Sequence, residues 1–305
     1  MAPPVIVIRD LAKWYASGPA VDGLSFTVPA GSVTAFLGPN GAGKTTTIRA
    51  LLGLVHADRG ESLILGRPFS RLENPLSRVG VLLDGAGFHP ARTARKHLRA
   101  VAAAARAAPG RVDEVLEVVD LGAAADRRVG GFSLGMRQRL GLATALIGDP
   151  ELLVLDEPAN GLDPAGMRWL RDFLTSFAAS GRSVLVSSHV LSEVALVADE
   201  VVVIHRGRLV EPTSTDRLTT ASVVVVHSPS PDRLRRALVA RGVAATLVGE
   251  DQLEVPGAPV ELVGSVAADE HVVLHGLGER TSTLEDVFLD LTARKEEDDA
   301  IAAAQ

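Results

Sequence analysis

Gly38-Pro39-Asn40-Gly41-Ala42-Gly43-Lys44-Thr45 decides the fold of this chain. The run matches the phosphate-cradling pattern Gly-x4-Gly-Lys-[Ser/Thr]. Val33, Ala35, Phe36 and Leu37 before it read as a buried strand, and the residues from Thr46 to Leu54 after it read as a helix. Strand, glycine loop and helix in that order predict an α/β fold of the P-loop type. Gly38, Gly41 and Gly43 let backbone N–H groups turn toward phosphate oxygens with no Cβ in the way. The helix start adds the positive end of its dipole. Lys44 is expected to reach the β- and γ-phosphates, and the Thr45 hydroxyl to hold Mg²⁺. Pro39, Asn40, Ala42 and Thr46 complete the stretch expected to wrap the nucleotide. Only four lysines occur in the chain and one stands here, so chance placement is a weak explanation.

Composition narrows the rest. At 305 residues with 47% apolar side chains, one large domain or two smaller ones can bury a core. The net charge of −6 argues against a nucleic-acid partner. Cysteine is absent, which excludes disulfides, iron–sulfur clusters and cysteine-ligated zinc. The start, Met1-Ala2-Pro3-Pro4-Val5, lacks a basic segment followed by an apolar core, so no signal peptide is expected. No uninterrupted apolar stretch reaches the ~18 residues of a spanning helix. Action at a membrane would need another chain to cross it.

A second signal lies at Leu152-Leu153-Val154-Leu155-Asp156-Glu157. Four apolar residues make a buried strand with two carboxylates at its end, where open α/β sheets place their ligands. Asp156 can hold Mg²⁺, and Glu157 can polarise an attacking water as general base.

Just upstream, Phe132-Ser133-Leu134-Gly135-Met136-Arg137-Gln138-Arg139 narrows the class. Here the chain resembles the ATP-binding subunits of ABC transporters, whose Leu-Ser-Gly-Gly-Gln motif corresponds to residues 132–136. The resemblance implies that Ser133 and Gly135, at the start of a helix running to about Ile147, contact the γ-phosphate of ATP held by a second copy. Ser133 also suits a helix N-cap on its own chemistry. Further family elements follow in order. Tyr15, or its neighbour Trp14, matches the aromatic residue that stacks on adenine; packing under the sheet is the alternative role for such a ring. Asn160-Gly161-Leu162-Asp163 matches the loop linking the two composite sites, and Asp163 also suits a helix start. His189, after the strand Ser183 to Ser187, matches the switch histidine that contacts the γ-phosphate and helps orient Glu157 and water.

Three departures from the family pattern stand out. Asp84 occupies the position where the family has a metal-associated Gln; an Asp can still approach Mg²⁺ but is shorter and charged. Leu134 and Met136 replace a Gly and a Gln, while Ser133 and Gly135 are retained. Phe132 replaces Leu. The remaining histidines form no expected zinc site.

The resemblance covers residues 5–212, read as an ABC-type ATP-binding domain with a helical subdomain at about 85–150. A boundary is expected near Glu211 to Ser222. Residues 213–305 then read as an accessory α+β module in β-α-β-β-α-β order, which suggests a ferredoxin-like unit, with strands including His271 to Leu274. A helix Ser282 to Leu291 and a charged tail follow. Thr283-Leu284-Glu285-Asp286-Val287-Phe288-Leu289 resembles the C-terminal segment of daunorubicin-exporter-like subunits.

Taken together, the resemblance implies an ATPase with ATP and Mg²⁺ as cofactors, acting as a nucleotide-sandwich homodimer. It would power export of a drug, antibiotic or other lipophilic compound through a separate transmembrane permease. Its expected location is cytoplasmic, on the inner face of the membrane. The alternative is a non-transport ABC-type ATPase on nucleic acid or ribosomes. Such proteins carry coiled-coil arms or tandem ATPase cores, and this chain shows neither.

Overall fold

The mostly apolar runs at 33–37 and 152–155 form buried parallel strands. A computed structural model describes residues 3–84, 87–190, 197–214 and 222–281. The chain divides into two units, Met1–Thr213 and Ser214–Gln305.

In the first unit, β1 (Ile6–Tyr15), β2 (Gly18–Val28) and β4 (Arg59–Ile64) form a three-stranded antiparallel sheet in the order β2-β1-β4. β1 and β2 extend well beyond their short apolar runs, Val5 to Ile8 and Leu24 to Val28. β4 has only two apolar residues in Arg-Gly-Glu-Ser-Leu-Ile, so its pattern gave no strand signal.

The central sheet has six strands: β3 (Val33–Leu37), β5 (Val79–Leu82), β6 (Leu152–Asp156), β7 (Ser183–Ser188), β8 (Glu200–His205) and β9 (Arg208–Ser214). Their order is β5-β6-β7-β3-β8-β9. β3, β6 and β7 are buried along their whole length, which is what strands covered on both faces require. From β5 to β8 the neighbours run parallel, pairing Leu37 with Ser188 and Asp156 with Ser187. Parallel pairing brings the C-terminal ends of β3, β6 and β7 to one edge. The core between the two sheets is apolar, with Phe26 and Phe36 stacked at 5.2 Å.

The helices of this unit follow their caps. α1 (Lys44–Leu51) starts at Gly43. α2 (Pro75–Arg78) is one turn before β5. α3 (Ala94–Ala105), α4 (Arg111–Val118) and α5 (Leu134–Leu146) make the helical segment between β5 and β6. α6 (Pro164–Ala179) starts with Pro at its first position and Asp163 as N-cap.

The second unit contains β10 (Ser222–His227), α7 (Pro231–Ala240), β11 (Thr246–Leu247), β12 (Gln252–Pro256), α8 (Val260–Asp269) and β13 (Gly276–Thr281). The strands form an antiparallel sheet in the order β11-β12-β10-β13. Its core joins Val224, Val226, Leu253 and Val255 to Leu234, Leu238, Val263 and Val266 of the helices. The strand expected at His271 to Leu274 is displaced. His271 has a left-handed φ of 52°, Val272 is buried and Val273 is exposed, so this run leaves α8 as a turn. Residues 276–281 pair with β10 instead; with one large apolar residue, Leu277, they give little periodic signal. The expected helix over Ser282 to Leu291 and its tail lie outside the described residues, as does most of the helix expected from Leu191 to Ala198. Among the described residues no helix is long and apolar enough to cross a membrane.

Candidate nucleotide site

The loop between β3 and α1 is shaped by glycine at two contacts. A Cβ on Gly38 would lie 2.4 Å from the Ile204 carbonyl oxygen. One on Gly43, whose φ is 105°, would lie 2.2 Å from that of Ala20. Only glycine lets the loop lie this close to β8 and to the β1–β2 hairpin. Lys44 turns back into the loop: its Nζ donates to the Gly38 carbonyl at 2.6 Å and the Pro39 carbonyl at 3.2 Å.

A cleft of about 300 Å³ opens beside this loop. Residues 39–46 line it together with Ala20, Asp84, Glu157, Asn160 and His189. The three strand ends thus converge as their parallel order dictates. Glu157 sits between two cationic or proton-bearing groups. Its Oε1 lies 3.3 Å from Lys44 Nζ, and its Oε2 lies 2.7 Å from His189 Nδ1. Facing a carboxylate, that ring nitrogen carries the proton and donates. Glu157 also has a left-handed φ of 50°, which costs an L-residue free energy and aims the carboxylate into the cleft.

Asp156 stands beneath it, fully buried. Its Oδ1 accepts from the Ser187 hydroxyl at 2.6 Å. The same hydroxyl oxygen accepts from the Glu157 backbone N–H at 3.0 Å. Asp156 Oδ2 is buried with no hydrogen-bond partner among the described residues. An orphaned carboxylate oxygen at that depth is costly unless a cation or donor completes it. With the partly buried Thr45 at the start of α1, it makes an oxygen donor set suited to Mg²⁺. Asp84 lines the cleft, whereas the buried Asp156 does not.

The other predicted residues lie apart from this cleft. Tyr15 and Trp14 end β1, 48% and 42% exposed, and do not line it. Lys13 Nζ is 5.5 Å from the Tyr15 ring centroid. Ser133 caps α5, its Oγ accepting from Met136 N–H at 3.2 Å. Asp163 caps α6, its Oδ1 accepting from Gly166 N–H at 2.7 Å. Gly135 lets α5 meet the loop before α6: a Cβ there would sit 3.1 Å from the Gly161 carbonyl oxygen. Ser133, Gly135 and Asp163 are therefore at neighbouring helix starts that do not line the cleft of their own chain.

Sequence reasoning missed Ser187 and Ser188 as functional positions. Ser188 Oγ accepts from Val190 N–H at 3.0 Å and shapes the turn that carries His189. The available signal was two hydroxyls ending a strand with an apolar centre, of which Ser187 is in register with Asp156.

Loop, sheet order and cleft define a P-loop nucleotide-binding ATPase. A family profile described as "ABC transporter" matches residues 21–160, and one described as a domain of unknown function matches residues 222–285. The bacitracin transport ATP-binding protein BcrA of Bacillus licheniformis is 44% identical over 217 residues, covering 70% of this chain and 71% of that protein. The Nod factor export ATP-binding protein I of Burkholderia lata is 37% identical over 303 residues, covering 96% and 98%. A solved structure described as the ATP-binding subunit of an ABC transporter superposes with a TM-score of 0.65 at 24% identity, covering 86% of this chain and 98% of that one. The chain belongs to the ABC transporter family, as one of its ATP-binding, ATP-hydrolysing subunits.

Proposed function

We propose that the unit ending at Thr213 binds ATP with Mg²⁺ in the cleft beside Lys44 and hydrolyses it as a homodimer. The dimer drives export of a drug, antibiotic or other lipophilic compound through a separate membrane-spanning permease, on the inner face of the membrane. The observation that carries the reading is the placement of Glu157 between Lys44 and His189 at the mouth of the glycine loop. The names of the relatives, bacitracin transport and Nod factor export, support a transport role that includes antibiotics and exported compounds.

The residues divide the work. Backbone N–H groups of residues 40, 41 and 43–45, at the start of α1, receive the phosphates. Lys44 exchanges its carbonyl partners for phosphate oxygens. Thr45 and Asp156 would hold Mg²⁺, with Asp84 as a further carboxylate of the cleft, and the ion would supply charge neutralisation for the phosphates. Glu157 takes the proton of the attacking water. His189, donating from Nδ1, holds the carboxylate in place. Tyr15 offers a ring to the base. Ser133, Gly135 and Asp163 do not line their own cleft, which fits their use on the nucleotide of a second copy. We assign residues 213–305 to an accessory domain.

The test is Glu157→Gln. Size-exclusion chromatography with light scattering should show that variant as a stable dimer with MgATP, with turnover reduced by roughly 10²–10⁴-fold. A variant that stays monomeric with saturating MgATP, or turns over at the wild-type rate, removes the reading.

A further inference from the structure

We propose that Ser187 is a positioning residue for the metal site, holding Asp156 and Glu157 in the relative orientation that hydrolysis needs. The inference rests on the nucleotide reading above and adds a residue to it.

Ser187 is fully buried near the end of β7 and is the register partner of Asp156 on β6. A buried hydroxyl next to the apolar centre Val184, Leu185 and Val186 of the strand must find partners. It finds two, and both belong to the reactive pair. It donates to Asp156 Oδ1 at 2.6 Å and accepts from the Glu157 N–H at 3.0 Å. One oxygen atom therefore links the two acidic residues.

Two consequences follow. Donation to Oδ1 holds the carboxylate plane and leaves the other oxygen, Oδ2, without a partner and free to meet a cation. The bond to the Glu157 N–H lies at the backbone whose φ is 50°. A strained φ persists only where its surroundings hold it, and this hydrogen bond is one such restraint. Loss of the hydroxyl would free the Asp156 carboxylate to rotate, leave the Glu157 N–H unpaired and loosen the carboxylate above. Outer partners that orient metal-binding carboxylates typically matter by about 10–100-fold in metal affinity or activity.

The experiment compares Ser187→Ala and Ser187→Thr with wild type. A cavity of about 150 Å³ borders Ser187 together with Val186, Met167 and Leu174, which leaves room for the threonine methyl. Mn²⁺ binding to the ATP-loaded protein is titrated by electron paramagnetic resonance, and ATP affinity is measured separately in excess chelator. Ser187→Ala should weaken Mn²⁺ binding by about 10–100-fold and lower kcat, while metal-free ATP affinity stays within about twofold. Ser187→Thr should restore Mn²⁺ affinity to within a fewfold of wild type. Unchanged Mn²⁺ affinity in Ser187→Ala overturns the proposal. So does a threonine variant as impaired as alanine despite a wild-type melting temperature. Should Ser187→Ala fail to fold, Ser187→Thr with wild-type Mn²⁺ affinity supports the role, and weakened affinity refutes it. If wild type itself binds no ATP, the underlying nucleotide reading fails, a result distinct from each of these.

Discussion

Lys44 and Glu157 form an ion pair at 3.3 Å across the mouth of the glycine loop, each side chain almost wholly buried. The ammonium also donates to two loop carbonyls, so the cation is held before any phosphate arrives. Phosphate would replace both kinds of partner with stronger, charge-assisted ones. Lys44→Ala should therefore weaken ATP binding by about 10–100-fold, the effect of losing hydrogen bonds to a charged group. Isothermal calorimetry checks this; an unchanged Kd would contradict the role given to Lys44.

Gly43 offers a sharper steric test. With φ at 105° and a would-be Cβ 2.2 Å from the Ala20 carbonyl oxygen, Gly43→Ala must strain the backbone and push β2 aside. The cost should be at least about 1–3 kcal/mol, with loss of nucleotide binding. Urea denaturation showing an unshifted midpoint would mean that the loop is not shaped by this contact. Gly41→Ala is the gentler control, because its φ of 81° is strained but no atom lies within 4 Å of the added methyl.

Asp163 caps α6 through Gly166 N–H. Asp163→Ala should cost about 1 kcal/mol of stability, and Asp163→Ser should recover most of it, since serine caps equally well. If Asp163 also serves the paired site, Asp163→Ser should still impair MgATP-dependent dimerisation while its denaturation midpoint returns. Dimerisation that recovers along with stability would reduce Asp163 to its capping role.

His97 carries a pH dependence. Its Nε2 lies 3.1 Å from Thr144 Oγ1, and Phe88 packs edge-on against its ring at 5.0 Å. Burial, with the charge of Arg92 adding to it, lowers its pKa below the ordinary histidine value. The unfolded chain then binds the proton more readily than the folded one. Stability is full above about pH 6.5 and falls as pH drops from there toward the lowered folded value. Melting temperatures between pH 7.5 and about pH 5 should fall more steeply in wild type than in His97→Gln. Parallel slopes would show that this histidine titrates alike in both states.

Much of this was legible in the chain itself. Residues 38–45 and the apolar run ending in Asp156 and Glu157 were readable because their chemistry is local, whereas His189 after its strand was picked out only through the family resemblance. A glycine loop, a buried strand and a helix cap all leave their signal within about ten residues. The accessory unit's last strand was not legible, because Gly276–Thr281 is held by pairing with β10 and not by its own pattern. β4 escaped for the same reason.

Residue types and spacing alone pointed to a phosphate loop, a candidate metal-binding carboxylate and a candidate base. Only tertiary structure decided which atoms meet: that Glu157 spans Lys44 and His189, and that one serine hydroxyl joins Asp156 to the Glu157 backbone. Those contacts cross between strands 30 or more residues apart. They depend on the register of a parallel sheet, which many side chains set together and no single motif encodes.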